Sequence, residues 1–192
     1  MKTIEEVDGL ENRMRIEQEN LVIRSAALED AVNLNTWWND GKVMEHAGFP
    51  NGLGQSMEET RAEIEANWGK LSQLVMLEVD GKSVGEASFR FIEEGKAEIG
   101  IKICDFSYQN HGYGTRFLKM LMEHLFEDEE LAHKFYVDKI VLNTNKKNVR
   151  AQHVYEKLGF VRLRENKDSW KNQLGEWQTS VDYEVTRKNY KK

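Results

Sequence analysis

Seven residues, Gln109-Asn110-His111-Gly112-Tyr113-Gly114-Thr115, join two segments of different hydrophobic periodicity. Residues 97–104 before them alternate with a period of two, as a strand does, and residues 117–126 after them are apolar at helical spacing. A glycine turn between a strand and a helix makes an anion site, because the free N–H groups of the first helical turn converge there and the helix dipole favours negative charge. The pattern indicates a bound phosphate group.

Two well-known glycine loops do not fit these residues. A P-loop ends in Gly-Lys-Ser/Thr, whereas Gly114 is followed by Thr115 and Arg116. A dinucleotide fingerprint needs a third glycine three residues after the second, where this chain has Phe117. A plain tight turn stays open as an alternative, since the two glycines of a Gly-x-Gly before a helix can serve only to form the turn, without any bound ligand.

A second strand–helix unit follows within residues 139–160. Residues 139–145 are an apolar run, Asn148 is a good helix N-cap, and Gly159 is a good residue to follow the end of a helix. Four residues of this helix share one face: Ala151, Val154, Tyr155 and Leu158.

With these two units the chain resembles the GNAT N-acetyltransferase superfamily. In that family a Gln/Arg-x-x-Gly-x-Gly/Ala loop binds the pyrophosphate of acetyl-coenzyme A, and an Asn-x-x-Ala-x-x-x-Tyr-x-x-x-Gly-Phe segment follows it. Both motifs are present, beginning at Gln109 and at Asn148. The resemblance extends over residues 21–185, and residues 21–43 resemble the opening of the RimJ/RimL-like branch, which acetylates ribosomal-protein N-termini, and of related small-molecule acetyltransferases.

The resemblance implies an α/β (α+β) fold: a mixed, mostly antiparallel sheet flanked by helices, with a parallel strand pair that splays apart at a bulge beside the cofactor. The residue patterns agree with this order. They predict strands within residues 15–24, 74–79, 83–92, 97–104, 139–145, 160–165 and 178–186, and helices at 28–39, from Ser56 with Ile64 and Trp68 facing inward, at 113–127 and at 149–158. Residues 166–175 are predicted to be a polar loop.

Composition suits one globular domain. With 192 residues, 40% of them hydrophobic, we predict a single domain at residues 21–187, an N-terminal arm at 1–20 and a basic tail at 188–192. The net charge of −6 argues against nucleic acid as a partner and favours a cationic substrate. No apolar run approaches membrane-spanning length, and the lone Cys104 suits a buried position in a reducing compartment, so we expect a cytoplasmic protein without a membrane partner.

The resemblance also assigns the cofactor contacts. Backbone N–H groups of the glycine loop would hold the pyrophosphate: Gln109, Asn110, His111, Gly112, Tyr113, Gly114 and Thr115. Ile101, Lys102 and Ile103 would pair with the pantetheine arm, and a backbone N–H near Ile103 would stabilise the oxyanion. Asn143, Asn148 and Ala151 are further cofactor-binding candidates, and Tyr155 would be the general acid for the departing thiolate.

The base and the acceptor pocket are predicted from fewer signals. Glu98 is the candidate base on the central strand, with Glu86 and His111 ranked below it. Trp37, Trp38, His46 and Phe49 are candidates for the acceptor pocket, although aromatic residues at this density also build core. The five histidines are scattered, so no metal is implied.

The predicted function is an acetyl-CoA-dependent N-acetyltransferase that acts on a primary amine. The acceptor is either a protein N-terminus, such as that of a ribosomal protein, or a small amine such as a polyamine or an aminoglycoside. The protein is expected to be a monomer or a homodimer. A non-catalytic coenzyme A-binding sensor or scaffold is the alternative, and a nucleotide-binding domain that uses the same loop is a third hypothesis.

Overall fold

A computed structural model describes residues 14–67 and 72–190. The strands are β1 (Arg15–Gln18), β2 (Leu21–Ser25), β3 (Ser72–Val79), β4 (Lys82–Glu93), β5 (Gly95–Ile103), β6 (Val137–Asn145), β7 (Val161–Lys171) and β8 (Trp177–Thr186). The helices are α1 (Ala31–Trp38), α2 (Gly41–Met44), α3 (Met57–Ala66), α4 (Tyr113–Glu127), α5 (Glu129–Lys134) and α6 (Val149–Lys157). Short 3₁₀ turns occupy Leu28–Asp30, Glu45–Ala47 and Phe106–Tyr108.

The described strands form one eight-stranded sheet in the order β1-β2-β3-β4-β5-β6-β8-β7. Neighbouring strands pair antiparallel except β5 and β6, which pair parallel. A parallel neighbour needs a long crossover, and the segment with α4 and α5 supplies it. The predicted mixed, mostly antiparallel sheet with one parallel pair is confirmed.

Helices cover the two faces of the sheet and bury two separate cores. Phe117, Leu121 and Leu125 of α4 pack with Tyr155 of α6 against one face, where Ala97 and Ile99 of β5 are also buried. On the other face α1 and α3 cover β3: the buried cluster there comprises Ala26, Ala31, Leu34, Trp38, Met44, Ile64, Leu74 and Met76. The period of two in β3 and β5 therefore divides their side chains between two helical layers.

Local sequence signals account for several element ends. The capping box at α3 is confirmed, since the Ser56 hydroxyl accepts from the Glu59 N–H at 3.1 Å and the Glu59 carboxylate accepts from the Ser56 N–H at 2.7 Å. The Asp128 carboxylate accepts from the Leu131 N–H at 2.7 Å and so starts α5 directly after α4. The Asp80-Gly81 turn joins β3 to β4 as predicted.

The polar loop predicted at residues 166–175 is wrong for 166–171, because β7 continues to Lys171, and is confirmed for 172–175. β7 is the last strand of the sheet and is exposed on both faces, so residues 166–171 have no apolar alternation to reveal its second half. The short helices α2 and α5 were not predicted either.

Other expectations have mixed outcomes. Cys104 is buried, as predicted, and so is Ile64, whereas Trp68 lies outside the described residues. Residues 1–13 of the N-terminal arm and 191–192 of the tail also lie outside them. Within the described ranges, no helix combines the length and the apolar character needed to span a bilayer.

Candidate active site

The parallel strands β5 and β6 separate beyond a short ladder. Their pairing runs from Gly95 opposite Val137 to Glu98 opposite Val141, and the residues that follow in the two strands diverge. The register shift in this pair falls between Gly95 and Lys96, at the opposite end of the ladder from the separation. The splay therefore begins where the ladder ends and not at the bulge expected there.

A cavity of about 1010 Å³ opens at this splay. The end of β5 lines it with Gly100 to Ile103, and the end of β6 lines it with Asn143 to Asn145. Most of the residues expected to bind the cofactor meet there: Ile101, Lys102, Ile103, Gln109, Asn110, Gly112, Tyr113, Gly114, Thr115, Asn143, Asn148 and Ala151, together with Tyr155 and His46. Residues that are far apart in sequence thus share one space.

The start of α4 presents free backbone donors to the cavity. Gly112 has a φ of 81°, a left-handed conformation that favours glycine, and it precedes the first helical residue. The first bond of the helix runs from the Arg116 N–H to the Gly112 carbonyl at 3.1 Å, so the N–H groups of Tyr113, Gly114 and Thr115 lie before it. This is the geometry that binds an anionic group.

Gln109 holds the loop in place. Its side-chain amide donates to the Ile103 carbonyl at 2.8 Å, and its side-chain oxygen accepts from Arg150 Nη1 at 2.7 Å. The Arg150 guanidinium also lies 3.5 Å from the Asn110 side-chain oxygen. The glycine loop, the end of β5 and the start of α6 are therefore connected through one side chain.

The backbone of β5 has a defined direction at the splay. Cys104, directly after the strand, donates its N–H to the Val84 carbonyl at 2.9 Å. Because successive N–H groups of an extended chain point to opposite sides, the N–H of Ile103 points away from β4 and into the splay. Ile101 has the same parity, whereas the backbone of Lys102 faces β4.

Tyr155 is buried among aromatic rings yet lines the cavity. Its ring meets Tyr183 edge-on at 5.7 Å and Phe160 at 5.9 Å, which fixes its orientation. Among the described residues the Tyr155 hydroxyl has no hydrogen-bond partner. Burial, with a smaller contribution from Tyr183, raises the pKa of Tyr155 to about 12, so the hydroxyl is protonated at neutral pH.

Asn148 caps α6 as predicted. Its side-chain oxygen accepts from the Ala151 N–H at 3.2 Å, and the side chain borders the cavity. The cap accounts for the oxygen of this side chain and leaves its amide N–H₂ group for other contacts.

The charge of the cavity wall differs from that of the whole chain. Four basic side chains line it, namely Lys42, Lys102, Lys147 and Arg150, against one acidic side chain, Glu45. A basic wall on a chain of net charge −6 suits an anionic ligand. In the described part of the chain, no three His, Cys, Asp or Glu side chains are grouped as metal ligands would be.

Lys102 and Glu86 form an ion pair on the sheet face beneath α1. The Lys102 ammonium lies 2.5 Å from Glu86 Oε1, and the Trp38 indole N–H donates to the same oxygen at 3.1 Å. Burial disfavours the charge on Lys102, but the charge of Glu86 and its hydrogen bond outweigh this and raise the pKa of Lys102. Glu86 is thus a buried carboxylate that already has two donors.

Six of the predicted site residues do not line the cavity: Trp37, Trp38, Phe49, Glu86, Glu98 and His111. Trp37 and Trp38 belong to the core beneath α1, and Phe49 is partly exposed. Glu98 lies on the same sheet face as Gly100 and Lys102, where its carboxylate pairs with Arg90. Only His46 of the aromatic acceptor candidates reaches the cavity.

Several lining residues were not singled out from the sequence, notably Lys42, Glu45, Lys147, Arg150, Trp170 and Ser180. Arg150 lies inside the Asn148 motif, and that position was its only sequence signal. Trp170 lies within residues 166–175, for which the sequence predicts a polar loop, so no pattern connects it with the glycine loop at residues 109–115.

Comparison with known proteins gives three kinds of result. Residues 20–161 match a family model described as an acetyltransferase (GNAT) domain. No curated protein matches the chain. Many solved structures do match it.

Three of these structures show the same fold. An acetyltransferase of the GNAT family from Bacillus anthracis is 24% identical, with a TM-score of 0.75, over 91% of this chain and 99% of that one. Spermidine N-acetyltransferase from Vibrio cholerae, in complex with CoA and spermine, is 17% identical, with a TM-score of 0.77, over 90% and 98%. The Salmonella typhimurium enzyme that modifies the N-terminal serine of ribosomal protein L7/L12 is 20% identical, with a TM-score of 0.74, over 90% and 99%.

Proposed function

The chain belongs to the GNAT acetyltransferase family, and we propose that it transfers the acetyl group of acetyl-CoA to a primary amine. One observation carries this proposal: the cavity between the separated ends of β5 and β6 brings the N–H groups at the start of α4 together with the Tyr155 side chain. Acetyl-CoA carries a pyrophosphate and a thioester. The anion site suits the pyrophosphate, and the protonated hydroxyl suits the thiolate that leaves the thioester.

The cofactor would lie along the splay. Its pyrophosphate would accept from N–H groups within residues 110–115, since the Gln109 N–H already donates to the Phe106 carbonyl at 3.2 Å, and Arg150 beside the loop would balance the negative charge. The pantetheine arm would follow Ile101 and Ile103, whose backbone groups face the splay, while Lys102 would contribute only its side chain. Asn143, Asn148 and Ala151 would border the arm from the side of β6 and α6.

The chain supplies two groups for the transfer step. As the amine attacks the thioester carbon, the N–H of Ile103 would donate to the developing oxyanion. The Tyr155 hydroxyl would then give its proton to the departing thiolate. A pKa of about 12 keeps that hydroxyl protonated before the transfer. The protonated acceptor loses one proton to the base before it attacks, and the second proton, which its nitrogen loses after the attack, restores the Tyr155 hydroxyl.

Glu98 is the proposed base. Its carboxylate pairs with Arg90 outside the cavity lining, so it would accept the proton of the amine through water and not directly. Glu86 is less suited, because Lys102 and the Trp38 indole already donate to it. If the Glu98→Gln variant kept the wild-type pH dependence of kcat/KM, Glu98 would not be the base.

The acceptor is proposed to be a protein N-terminus or a small amine, as in the RimJ/RimL-like branch. Two enzymes of the same fold support an amine, since one acts on spermidine and the other on the N-terminal serine of a ribosomal protein. His46 is the proposed acceptor contact that borders the cavity; Trp37, Trp38 and Phe49 would act only by shaping α1 and the loop after α2. We further propose one cytoplasmic domain at residues 21–187, as a monomer or a homodimer.

Coenzyme A release with a panel of amines tests the proposal. The panel contains a ribosomal-protein N-terminal peptide, spermidine and an aminoglycoside, each with acetyl-CoA. We expect turnover with one class of amine and a higher melting temperature with coenzyme A. Stabilisation by coenzyme A without turnover of any amine would favour a non-catalytic binding module, and stabilisation by ATP or NAD instead would exclude the coenzyme A site.

A further inference from the structure

Two segments that are distant in sequence line the cavity outside the glycine loop and α6. The first is α2 with the following 3₁₀ turn, which contributes Lys42, Val43, Glu45, His46 and Ala47. The second is the β7–β8 hairpin, which contributes Trp170 and Ser180. The two segments meet where the chain leaves the 3₁₀ turn at Gly48.

The contact at Gly48 is close. The ring of Trp170 lies so near that a Cβ atom on Gly48 would be 2.4 Å from its Cζ3 atom. Gly48 also has a φ of 99°, so both its conformation and its lack of a side chain are needed there. Trp170 can reach the cavity wall only because residue 48 is glycine.

Gln173, at the tip of the β7–β8 hairpin, fastens the two segments together. Its side-chain oxygen accepts from the Asn51 N–H at 2.9 Å, and its side-chain amide donates to the Gly52 carbonyl at 3.0 Å. Its backbone N–H donates to the Gly48 carbonyl at 2.8 Å. The side-chain oxygen, the side-chain amide and the backbone N–H of Gln173 are thus all hydrogen-bonded to residues within 48–52.

These hydrogen bonds set the position of the β7–β8 hairpin relative to residues 48–52 more than they stabilise the fold. Gln173 is solvent accessible, so water replaces its bonds at small cost when they break. The bonds join the turn between β7 and β8 to the loop that follows His46. Their consequence is geometric: they limit how far the hairpin that carries Trp170 can move from residues 48–52, which directly follow the 3₁₀ turn with His46.

We propose that Gln173 is a positioning residue whose clamp on residues 48–52 limits how wide an acceptor amine the cavity admits. The inference rests on the proposed acetyl transfer and names a property of the same site. It favours a slender acceptor, whose amine is carried on an unbranched carbon, over one that is branched beside the amine. A clamp of this kind changes acceptor choice while coenzyme A binding stays the same.

The first experiment measures the clamp without any activity. Amide hydrogen exchange is followed in the free protein for wild type, Gln173→Ala and Gln173→Glu. We expect the Asn51 amide to exchange at least about tenfold faster in Gln173→Ala, because its acceptor is gone. In Gln173→Glu the carboxylate still accepts from Asn51 but cannot donate to the Gly52 carbonyl, so we expect exchange at Asn51 between the rates of the wild type and of Gln173→Ala. Unchanged exchange in Gln173→Ala would overturn the clamp.

The second experiment measures acceptor width. The best linear acceptor of the amine panel is compared with its analogue carrying a methyl group on the carbon next to the amine. We expect Gln173→Ala to raise the ratio of kcat/KM for the branched to the linear amine about three- to tenfold, with the dissociation constant of coenzyme A unchanged. Leu174→Ala is the control, since that exposed neighbour in the same turn has no such bonds.

The two experiments separate the two proposals. An unchanged ratio in Gln173→Ala, or an equal change in Leu174→Ala, would overturn the role in acceptor choice. Wild-type protein that turned over no amine would overturn the proposed function and the acceptor role with it, whereas exchange at Asn51 judges the clamp in either case.

Discussion

The side-chain amide of Gln109 donates a 2.8 Å hydrogen bond to the main-chain carbonyl of Ile103 and so ties the loop before α4 to the end of β5. The same side chain accepts from Arg150 of α6 at 2.7 Å. We expect Gln109→Ala to weaken coenzyme A binding roughly tenfold, because the loop loses two hydrogen bonds that hold it in place. Isothermal titration with coenzyme A measures the change.

Gln152→Ala is the matched control for Gln109→Ala. Gln152 also donates its side-chain amide to a backbone carbonyl, that of Lys146 at 2.8 Å, but it does not line the cavity. Its substitution should leave the coenzyme A dissociation constant unchanged. Equal affinities for both variants and the wild type would show that the Gln109 bond does not shape the cofactor site.

Replacing Tyr155 with Phe removes the proposed proton donor and keeps the ring packing. We expect kcat to fall about 10²- to 10⁴-fold, as for loss of a general acid, with coenzyme A affinity nearly unchanged. Since the pKa of Tyr155 is raised to about 12, its proton is retained between pH 7 and 10, and kcat of the wild type should show no alkaline loss from this group in that interval. A pH–rate profile of both proteins checks this.

Tyr183→Phe separates the donor from its aromatic surroundings. Tyr183 packs edge-on against Tyr155, but its hydroxyl donates to Glu156 at 3.0 Å and does not line the cavity. Its loss should lower kcat far less than the loss of the Tyr155 hydroxyl does. A similar fall in both variants would assign the effect to packing and not to proton transfer.

Local sequence signals correctly predicted the starts of the two helices that border the cavity. α4 begins at Tyr113 and ends at Glu127, as predicted, because Gly112 and the apolar spacing that follows are sufficient to define it. Asn148 caps α6 for the same reason. Both motifs are short segments whose conformation depends mainly on their own residues.

The lining of the cavity away from these two motifs depends on contacts that no local pattern records. Trp170 comes from an edge strand exposed on both faces, and it lines the cavity only because Gly48 allows its ring to approach. Trp38 was expected at the cavity, yet α1 turns its indole toward the buried Glu86. Which side of a helix faces a site and which faces core is decided by tertiary packing.

The ion pairs of Arg24 connect β2 with the 3₁₀ turn before α1 and with β3, and their contribution to stability can be measured. Arg24 donates to both oxygens of the buried Asp30 at 2.7 Å and to Glu78 at 2.7 Å; the hydrogen bond with Asp30 is the main cause that raises the pKa of Arg24. We expect Arg24→Ala to lower the free energy of unfolding by about 2–3 kcal/mol, because two carboxylates lose their partner. Urea denaturation measures it.

An exposed ion pair serves as the control for Arg24. Arg15 and Glu17 lie 2.5 Å apart on the outermost strand, where both side chains are more than half exposed. Arg15→Ala should cost less than about 0.5 kcal/mol, since water screens this pair. The cost of Arg24→Ala should also shrink when Asp30 is replaced by Asn, because only the Glu78 carboxylate then loses its partner. Equal costs in both backgrounds would contradict the coupling.

The last prediction concerns the glycine that starts α4. Gly112 has a φ of 81°, and no heavy atom lies within 4 Å of the position that a Cβ would take. Gly112→Ala therefore meets no clash, and its cost, about 1 kcal/mol of stability, comes from the backbone alone. Relief of that strain rotates the free N–H groups in the first turn of α4, so we also expect a several-fold weaker binding of coenzyme A.

Gly54→Ala distinguishes the two effects of Gly112→Ala. Gly54 has a φ of 69° and equally open surroundings, but it does not line the cavity. Both substitutions should lower the free energy of unfolding by a similar amount, measured by urea denaturation, whereas only Gly112→Ala should weaken coenzyme A binding, measured by titration. Weaker binding in both variants would reduce the effect to general destabilisation, and unchanged binding in Gly112→Ala would contradict the role of these N–H groups.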